Sequence, residues 1–275
     1  MTHWTLDDIP WHDFDAARVN PQLLAVVKAA AMVERNAADY TAYLGNVFRE
    51  DPAFRDHVDA WRVEEERHGD ALGRWAEMAD PSFTFATAFQ RFRDGYRIDI
   101  GAQDSIRGSR TGELIARCIV ETGTSSFYSA LRDASDEPVL RAICHRIAGD
   151  EFRHYKLFLE TMRVYQRREN VPGWRRLLVA LGRIRESEDD ELAFAYHAAN
   201  APADAPYDRV TASNNYAARA FACYRPHHVQ RATSMVLKAA GLKPQGLLGS
   251  VLQRLMWKFV SGRARKLGAL VRAGA

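Results

Sequence analysis

The chain is poor in cysteine, in strand-forming runs and in long apolar stretches. Its three cysteines, Cys118, Cys144 and Cys223, stand in no CxxC spacing, which excludes a disulfide framework and a zinc knuckle. No apolar run approaches the ~18 to 20 residues that cross a bilayer. The segment Met1-Thr2-His3-Trp4, followed by Asp7-Asp8, has neither the basic nor the apolar region of a signal peptide, so a cytoplasmic protein is expected. Neither a P-loop nor a GxGxxG fingerprint occurs, and nucleotide chemistry has no support. One charge sign is also missing from the end of the chain. Residues 209–275 contain no Asp or Glu and 12 Lys or Arg, whereas residues 1–208 hold all 35 acids against 26 basic residues, a balance of −9. The formal net charge of +3 conceals an acidic body and a basic tail.

Ala, Leu, Arg and Glu dominate what is present, and apolar residues recur three and four apart, a pattern that predicts an all-α fold. Asn20-Pro21 reads as the cap and first residue of a helix running to about Arg49, and Asp51-Pro52 opens a second that ends near Ala79. A shorter helical piece covers Phe83 to Gly95. A third long helix follows Gly112 and ends around Asp133, and a fourth runs from Pro138 to about Asn170. Together these form a four-helix plan with one long crossover. A fifth helix after Pro172-Gly173 carries the acidic run Glu186 to Glu191, read as a solvated face. The Ala/Pro/Asn-rich stretch Asn200 to Asn215 reads as a linker, and two helices, Tyr216 to Gly241 and Gly246 to Arg272, form the basic tail. The division expected is a bundle over residues 1–200 and a basic helical extension over 201–275, packed on it or linked to it.

Two segments share a Glu-x-x-His spacing, Glu65 to His68 and Glu151 to His154. Residues three apart share a helix face, so each pair can present a carboxylate and an imidazole to one point. With 15 Glu and 9 His in the chain, roughly 0.5 such matches arise by chance. Both pairs also lie on apolar stripes: Val58, Trp61, Glu65, His68, Leu72, Trp75 in one helix and Leu140, Cys144, Ile147, Glu151, His154, Phe158 in the other. Glu34 falls on a stripe with Val27, Ala30, Ala37 and Leu44, and Glu121 on one with Leu114, Cys118, Ser125 and Tyr128. The midpoint between Glu34 and Glu65 falls beside the turn at Asp51-Pro52, and that between Glu121 and Glu151 falls in the turn before Pro138. In each hairpin the two glutamates therefore sit at the same height, and the repeat of 87 residues from Glu34 to Glu121 and 86 from Glu65 to Glu151 gives an approximately two-fold site.

Four buried carboxylates without cations would repel one another, each at a desolvation cost of several kcal/mol. Arg67 and Arg153 each precede a motif histidine by one residue and should point off the shared face. Two divalent ions would neutralise the carboxylates, and with two imidazoles the donor set suits iron, with manganese the alternative. Glu34, Glu65, His68, Glu121, Glu151 and His154 are the candidate metal ligands. Glu64 and Asp150, each just before a motif glutamate, are candidate acceptors for the free N–H groups of the histidines.

The segment Glu64-Glu65-Glu66-Arg67-His68-Gly69-Asp70 resembles the EENRHGD segment of soluble acyl-carrier-protein desaturases, and Asp150-Glu151-Phe152-Arg153-His154 resembles that family's DEKRH segment. Glu121-Thr122-Gly123-Thr124 is also similar, because the family places a threonine three residues after the third-helix glutamate, near where oxygen binds. The resemblance covers about residues 25 to 165. It implies a ferritin-like fold, a di-iron centre that activates O2, an acyl or lipid-like substrate that can be carrier-bound, and a ferredoxin-type electron donor. It also gives Thr124 a catalytic role, against the alternative of a hydroxyl bonded back to a helix carbonyl.

Aldehyde-deformylating oxygenases, rubrerythrin-like peroxidases and arylamine N-oxygenases use comparable ligands, and iron storage or peroxide scavenging is the competing class. Trp61 reads as core in preference to an electron relay. His57, His145 and His197 read as helix-surface residues, and His227-His228 follow Pro226 at a helix start without a role. In the tail, Leu247, Leu248, Val251, Leu252, Leu255, Met256, Phe259 and Val260 form an apolar side with Arg254, Lys258, Arg263, Arg265, Lys266 and Arg272 around it. Such a helix can lie on an anionic membrane, which would make the protein peripheral, dock an acidic carrier, or pack on the body or on a second copy in a homodimer. Nucleic acid is not an expected partner.

Overall fold

The computed structural model describes residues 3–186 and 190–273. Residues 187–189 of the acidic run, and the side chains of Leu248 and Arg272, lie outside the described residues. No strand occurs among those described. Three short 3-10 turns, Leu6–Asp8, Trp11–Asp13 and Ala16–Arg18, lead into a ferritin-like bundle of α1 (Pro21–Arg35) with α2 (Ala37–Val47), α3 (Pro52–Ala79), α5 (Arg110–Ala134) and α6 (Pro138–Glu169). The crossover between the two hairpins carries α4 (Phe85–Gly95). Then come α7 (Gly173–Arg185), α8 (Asp190–Asn200), α9 (Arg209–Ala222), α10 (Pro226–Ala239) and α11 (Leu247–Ala273).

The bundle helices begin where their capping residues place them. Asn20 accepts from the Gln22 N–H, Asp51 from Phe54, Ser109 from Gly112, and Glu137 from both Val139 and Leu140. Proline follows three of these caps at the first helical position, where its missing N–H costs nothing. Asn170, left-handed at φ 48°, closes α6.

Three boundaries differ from expectation. The first rod is two helices, because Asn36 leaves helical geometry at φ −85°, ψ 12°, and its buried amide oxygen faces Arg93 of α4. The expected linker shrinks to residues 201–208, since Asp208 caps α9 through the Val210 and Thr211 N–H groups, and Ala212 and Ala220 bury against the body. The segment Tyr216 to Gly241 is likewise two helices, interrupted at Cys223 before Pro226.

Two apolar clusters fill the bundle. One gathers Val27, Leu72, Trp75, Leu131, Leu140 and Ile147; the other gathers Leu44, Phe48, Val58, Leu114, Phe158 and Met162. The motif glutamates fall between them. Trp75 is fully buried and donates its indole N–H to Glu137 at 2.7 Å, tying α3 to the α6 cap. Gly69 permits the closest approach of α1 to α3. A Cβ there would lie 2.6 Å from the Arg35 N and 2.8 Å from the Ala31 carbonyl oxygen. The glycine after His68 is therefore what lets α1 bring Glu34 against α3.

Beyond the bundle, α8 and α9 lie on α1, α7 and α10 on α5, and α11 on α9 and α10. Helix α11 anchors through Leu267 and Val271 on Ala217, Ala218 and Phe221. Its earlier apolar residues Leu247, Val251, Leu255 and Phe259 stay exposed, as do Trp174, Leu178 and Leu181 of α7.

Candidate metal centre

The six histidine and glutamate side chains converge, although four helix segments supply them. Glu34 comes from α1, Glu65 and His68 from α3, Glu121 from α5, and Glu151 and His154 from α6, and all six are buried. His68 Nδ1 lies 3.2 Å from Glu151 Oε1 and 3.5 Å from oxygens of both Glu34 and Glu65. His154 Nδ1 lies 3.0 Å from Glu65 Oε1, 3.6 Å from Glu121 Oε2 and 3.8 Å from Glu151 Oε2. Ligands each ~2.1 Å from one cation stand roughly 3 to 3.5 Å apart, the spacing these atoms already show.

The donors divide into two sets, Glu34, Glu65, His68, Glu151 and Glu65, Glu121, Glu151, His154. Glu65 and Glu151 belong to both, so two cations can share them as bridging carboxylates. Each cation would have a further glutamate and a histidine of its own. The inward atoms His68 Nδ1, His154 Nδ1, Glu121 Oε2 and Glu151 Oε1 are buried without a hydrogen-bond partner. Orphaned polar atoms aimed at one point are costly unless something positive satisfies them, and this is the observation that makes the residues fit two divalent ions.

The outward ring nitrogens are held crosswise. His68 Nε2 contacts Asp150 Oδ2 at 2.9 Å, and His154 Nε2 contacts Glu64 Oε2 at 2.9 Å. Each acid thus serves the histidine of the opposite helix, which leaves Nδ1 of each ring free to ligate. Arg67 and Arg153 do point off the shared face: Arg153 pairs with Asp150 at 2.6 Å and Glu64 at 3.3 Å, and Arg67 approaches Asp150 at 3.8 Å. Burial pushes the Asp150 carboxyl up, but the His68, Trp4 and Arg153 contacts outweigh it and hold the group down at about 2.

Burial, reinforced by neighbouring glutamates, pushes Glu34 and Glu121 well above the ordinary carboxylate range. Burial pulls His68 and His154 down, yet the surrounding carboxylates outweigh it and hold both imidazoles well above the ordinary range. Without cations the centre therefore retains protons that a metal must displace. Fe(II) affinity is expected to strengthen as pH rises through and beyond the ordinary imidazole range, with protons released on binding. Calorimetry in buffers of different ionisation enthalpy reads this directly, and pH-independent binding without proton release would contradict it.

Thr124 reaches both the helix backbone and the carboxylate centre. Its hydroxyl lies 3.3 Å from the Glu121 carbonyl and donates to Glu151 Oε2 at 2.6 Å. Trp61 is buried, edge-on to His154 at 6.5 Å and to Phe158 at 5.8 Å. Two neighbours of the centre were not among the candidate site residues. Trp4 donates its indole N–H to Asp150 at 2.8 Å and stacks on His68 at 5.9 Å, and the Tyr128 hydroxyl donates to Glu34 at 2.5 Å. Tyr128 at least lay on the Glu121 stripe, whereas Trp4 sits in irregular chain that no periodicity reaches.

A cavity of about 290 Å³ opens onto the centre. Glu34, Glu65, Glu121, Glu151 and Thr124 form one wall, and Ile119, Val120, Phe127, Tyr216, Ala220 and Phe221 continue it as an apolar channel. The acidic run is not a solvated face at its far end. Glu191 is buried in this cavity's lining and accepts from the Tyr40 hydroxyl at 2.5 Å, because α8 folds back onto α1, while Glu186 pairs with Arg107. His57 and His145 are exposed, but His197 is buried beside Phe194 and Tyr207 and contacts Arg91 at 3.0 Å. His228 is also buried and caps α10 by accepting from the Arg225 N–H at Nδ1, so its Nε2 proton faces Asp133.

The sequence profile described as Fatty acid desaturase matches residues 15–170, which takes in every one of these six side chains. The chain belongs to the fatty acid desaturase family. This family sits in the ferritin-like di-iron superfamily. Its match marks the chain as an oxidoreductase that modifies fatty acids, and the carboxylate and histidine clusters are compatible with a di-iron site. No curated protein matches the sequence. No helix of the described residues is long and apolar enough to cross a membrane.

Proposed function

We propose that this desaturase-family protein is an O2-dependent di-iron oxidase that introduces a double bond into an acyl chain lying in the cavity. The observation that carries the reading is continuity: the apolar channel and the carboxylate centre share a wall. Iron storage or peroxide scavenging needs no such channel. Overall, a –CH2–CH2– unit, O2, two electrons and two protons give –CH=CH– and two waters, with the electrons from a ferredoxin-type donor. Two iron ions, when bound, supply the O2 reduction and the power to remove hydrogen from an unactivated C–H bond.

The chain's own residues do the rest. Glu34, Glu65, His68, Glu121, Glu151 and His154 hold the ions, Asp150 and Glu64 fix the imidazoles, and Thr124 holds a proton at Glu151 Oε2 on the cavity wall. The apolar lining excludes water from the reacting carbons. The Trp4–Asp150–His68 hydrogen-bonded chain offers electrons an inward route. The exposed apolar residues of α7 and those of α11, each with basic residues around them, are the surfaces offered to the carrier of the acyl chain, an acidic carrier protein or an anionic membrane.

The test is single-turnover exposure of the Fe(II)-loaded, reduced protein to O2 with acyl chains of graded length, free and carrier-bound, followed by mass spectrometry. Products two mass units lighter are expected. Oxygen-inserted or shortened products would replace desaturation by another di-iron oxygenation, and iron oxidation with no organic product would leave a ferroxidase.

A further inference from the structure

Only two basic side chains among the described residues are buried, Lys28 and Arg117, each 7% exposed. Lys28 is paired with Asp80 at 2.6 Å. Arg117 has no such partner. It stands on α5 one turn before Glu121 and lines the cavity. Its Nε is buried without a hydrogen-bond partner, its guanidinium stacks on the Tyr40 ring at 5.1 Å, and no described carboxylate lies within ion-pair distance. Glu191 lines the same cavity beyond ion-pair distance of Arg117, and its Oε2 accepts from the Tyr40 hydroxyl. A buried guanidinium that lines a cavity without an ion pair is poised to take its counter-charge from a ligand.

We propose that Arg117 is the anchor for a carboxylate on the substrate. The guanidinium fork matches a carboxylate in two-point geometry, and an acyl chain held there extends along the apolar wall past the carboxylate centre. This rests on the acyl-chain reading above and deepens it by naming the polar group that fixes the register of the chain. The carboxylate has two chemical sources, the head of a free fatty acid or the distal end of a carrier-bound chain, and both present the same anion to Arg117.

Binding can be measured on the full chain, loaded anaerobically with Fe(II) and without reductant, using dodecanoate, dodecanol, dodecanoyl pantetheine and the ω-carboxylated dodecanoyl pantetheine. Wild type is expected to bind a carboxylate-bearing ligand at least ten-fold more tightly than its uncharged counterpart. A preference between dodecanoate and dodecanol identifies the head carboxylate, and one between the two thioesters identifies the distal carboxylate. Arg117→Met should abolish the preference while leaving dodecanol binding within two-fold, and Arg117→Lys should retain part of it. The thermal midpoint of ligand-free Arg117→Met should change little, because no ion pair is broken, whereas a structural arginine would show a fall. Equal binding of charged and uncharged ligands by wild type, or an unchanged preference in Arg117→Met, overturns the proposal. Iron content of the same samples separates the two readings: a carboxylate preference in protein that binds no iron overturns the oxidase and leaves the anchor standing.

Discussion

Replacing Glu151 with glutamine is expected to reduce iron loading from about two ions per chain to fewer than one. The size of the effect follows from sharing. Glu151 Oε1 lies 3.2 Å from His68 Nδ1 and Oε2 lies 3.8 Å from His154 Nδ1, so a single carboxylate closes both donor sets. A glutamine offers one neutral oxygen and turns an NH2 group toward the second site, where the histidine nitrogen has to face a cation. The Thr124 hydroxyl, which donates to Oε2, also loses its acceptor or forces the amide to turn. Desaturation should fall below detection.

The metal-free variant should lose stability as well. Burial and Glu65 push the Glu151 carboxyl up, but the His154 and His68 contacts outweigh them and hold it below the ordinary range, and removing one partner of such a buried pair costs about 3 to 5 kcal/mol. Thermal denaturation of chelated wild type and Glu151→Gln reads this, with the variant melting lower. A variant that loads two irons normally, or that melts higher when metal-free, contradicts this arrangement.

Asp150→Asn is expected to cost about 10- to 100-fold in metal affinity, although the residue touches no metal. Asp150 accepts at Oδ2 from both Trp4 and His68 and at Oδ1 from Arg153. An asparagine has one acceptor oxygen, so its Nδ2 must face at least one donor whichever way the amide is turned. His68 then loses either its fixed tautomer or its orientation. Reduction by an external donor should slow as well, because the hydrogen-bonded path from Trp4 to His68 runs through this carboxylate. Competitive Fe(II) binding against a chelator of known affinity measures the first effect, and stopped-flow reduction the second. Unchanged metal affinity would show that His68 is held by packing alone, and that Asp150 contributes no orientation.

The centre was legible in the sequence because its signals are local and repeated. Glu65 and His68 sit three apart on one helix face, Glu151 and His154 repeat the spacing, and the turns at residues 48–51 and 135–137 fix which glutamates meet. That register held although Asn36 breaks the first rod between Glu34 and the turn, because only this one residue separates α1 from α2. The features that were missed depend on tertiary contacts. Asn36 is held by Arg93 from another helix, Trp4 arrives from irregular chain, and Glu191 is buried only because α8 packs on α1. Asp208 is different, since a capping aspartate was present in the sequence, and the Ala/Pro/Asn-rich composition around it masked the start of α9.

Arg117 shows the same limit in a more useful form. Its position four residues before Glu121 was visible, but that it lacks a carboxylate partner emerges only once α1, α5 and α8 are packed together. A helical-face pattern cannot distinguish a buried cation from a solvated one.

Metal analysis of the purified chain after anaerobic Fe(II) loading and removal of unbound iron decides whether two cations sit among these four glutamates and two histidines. About two irons per chain are expected, whereas fewer than about one per chain would contradict the proposed centre.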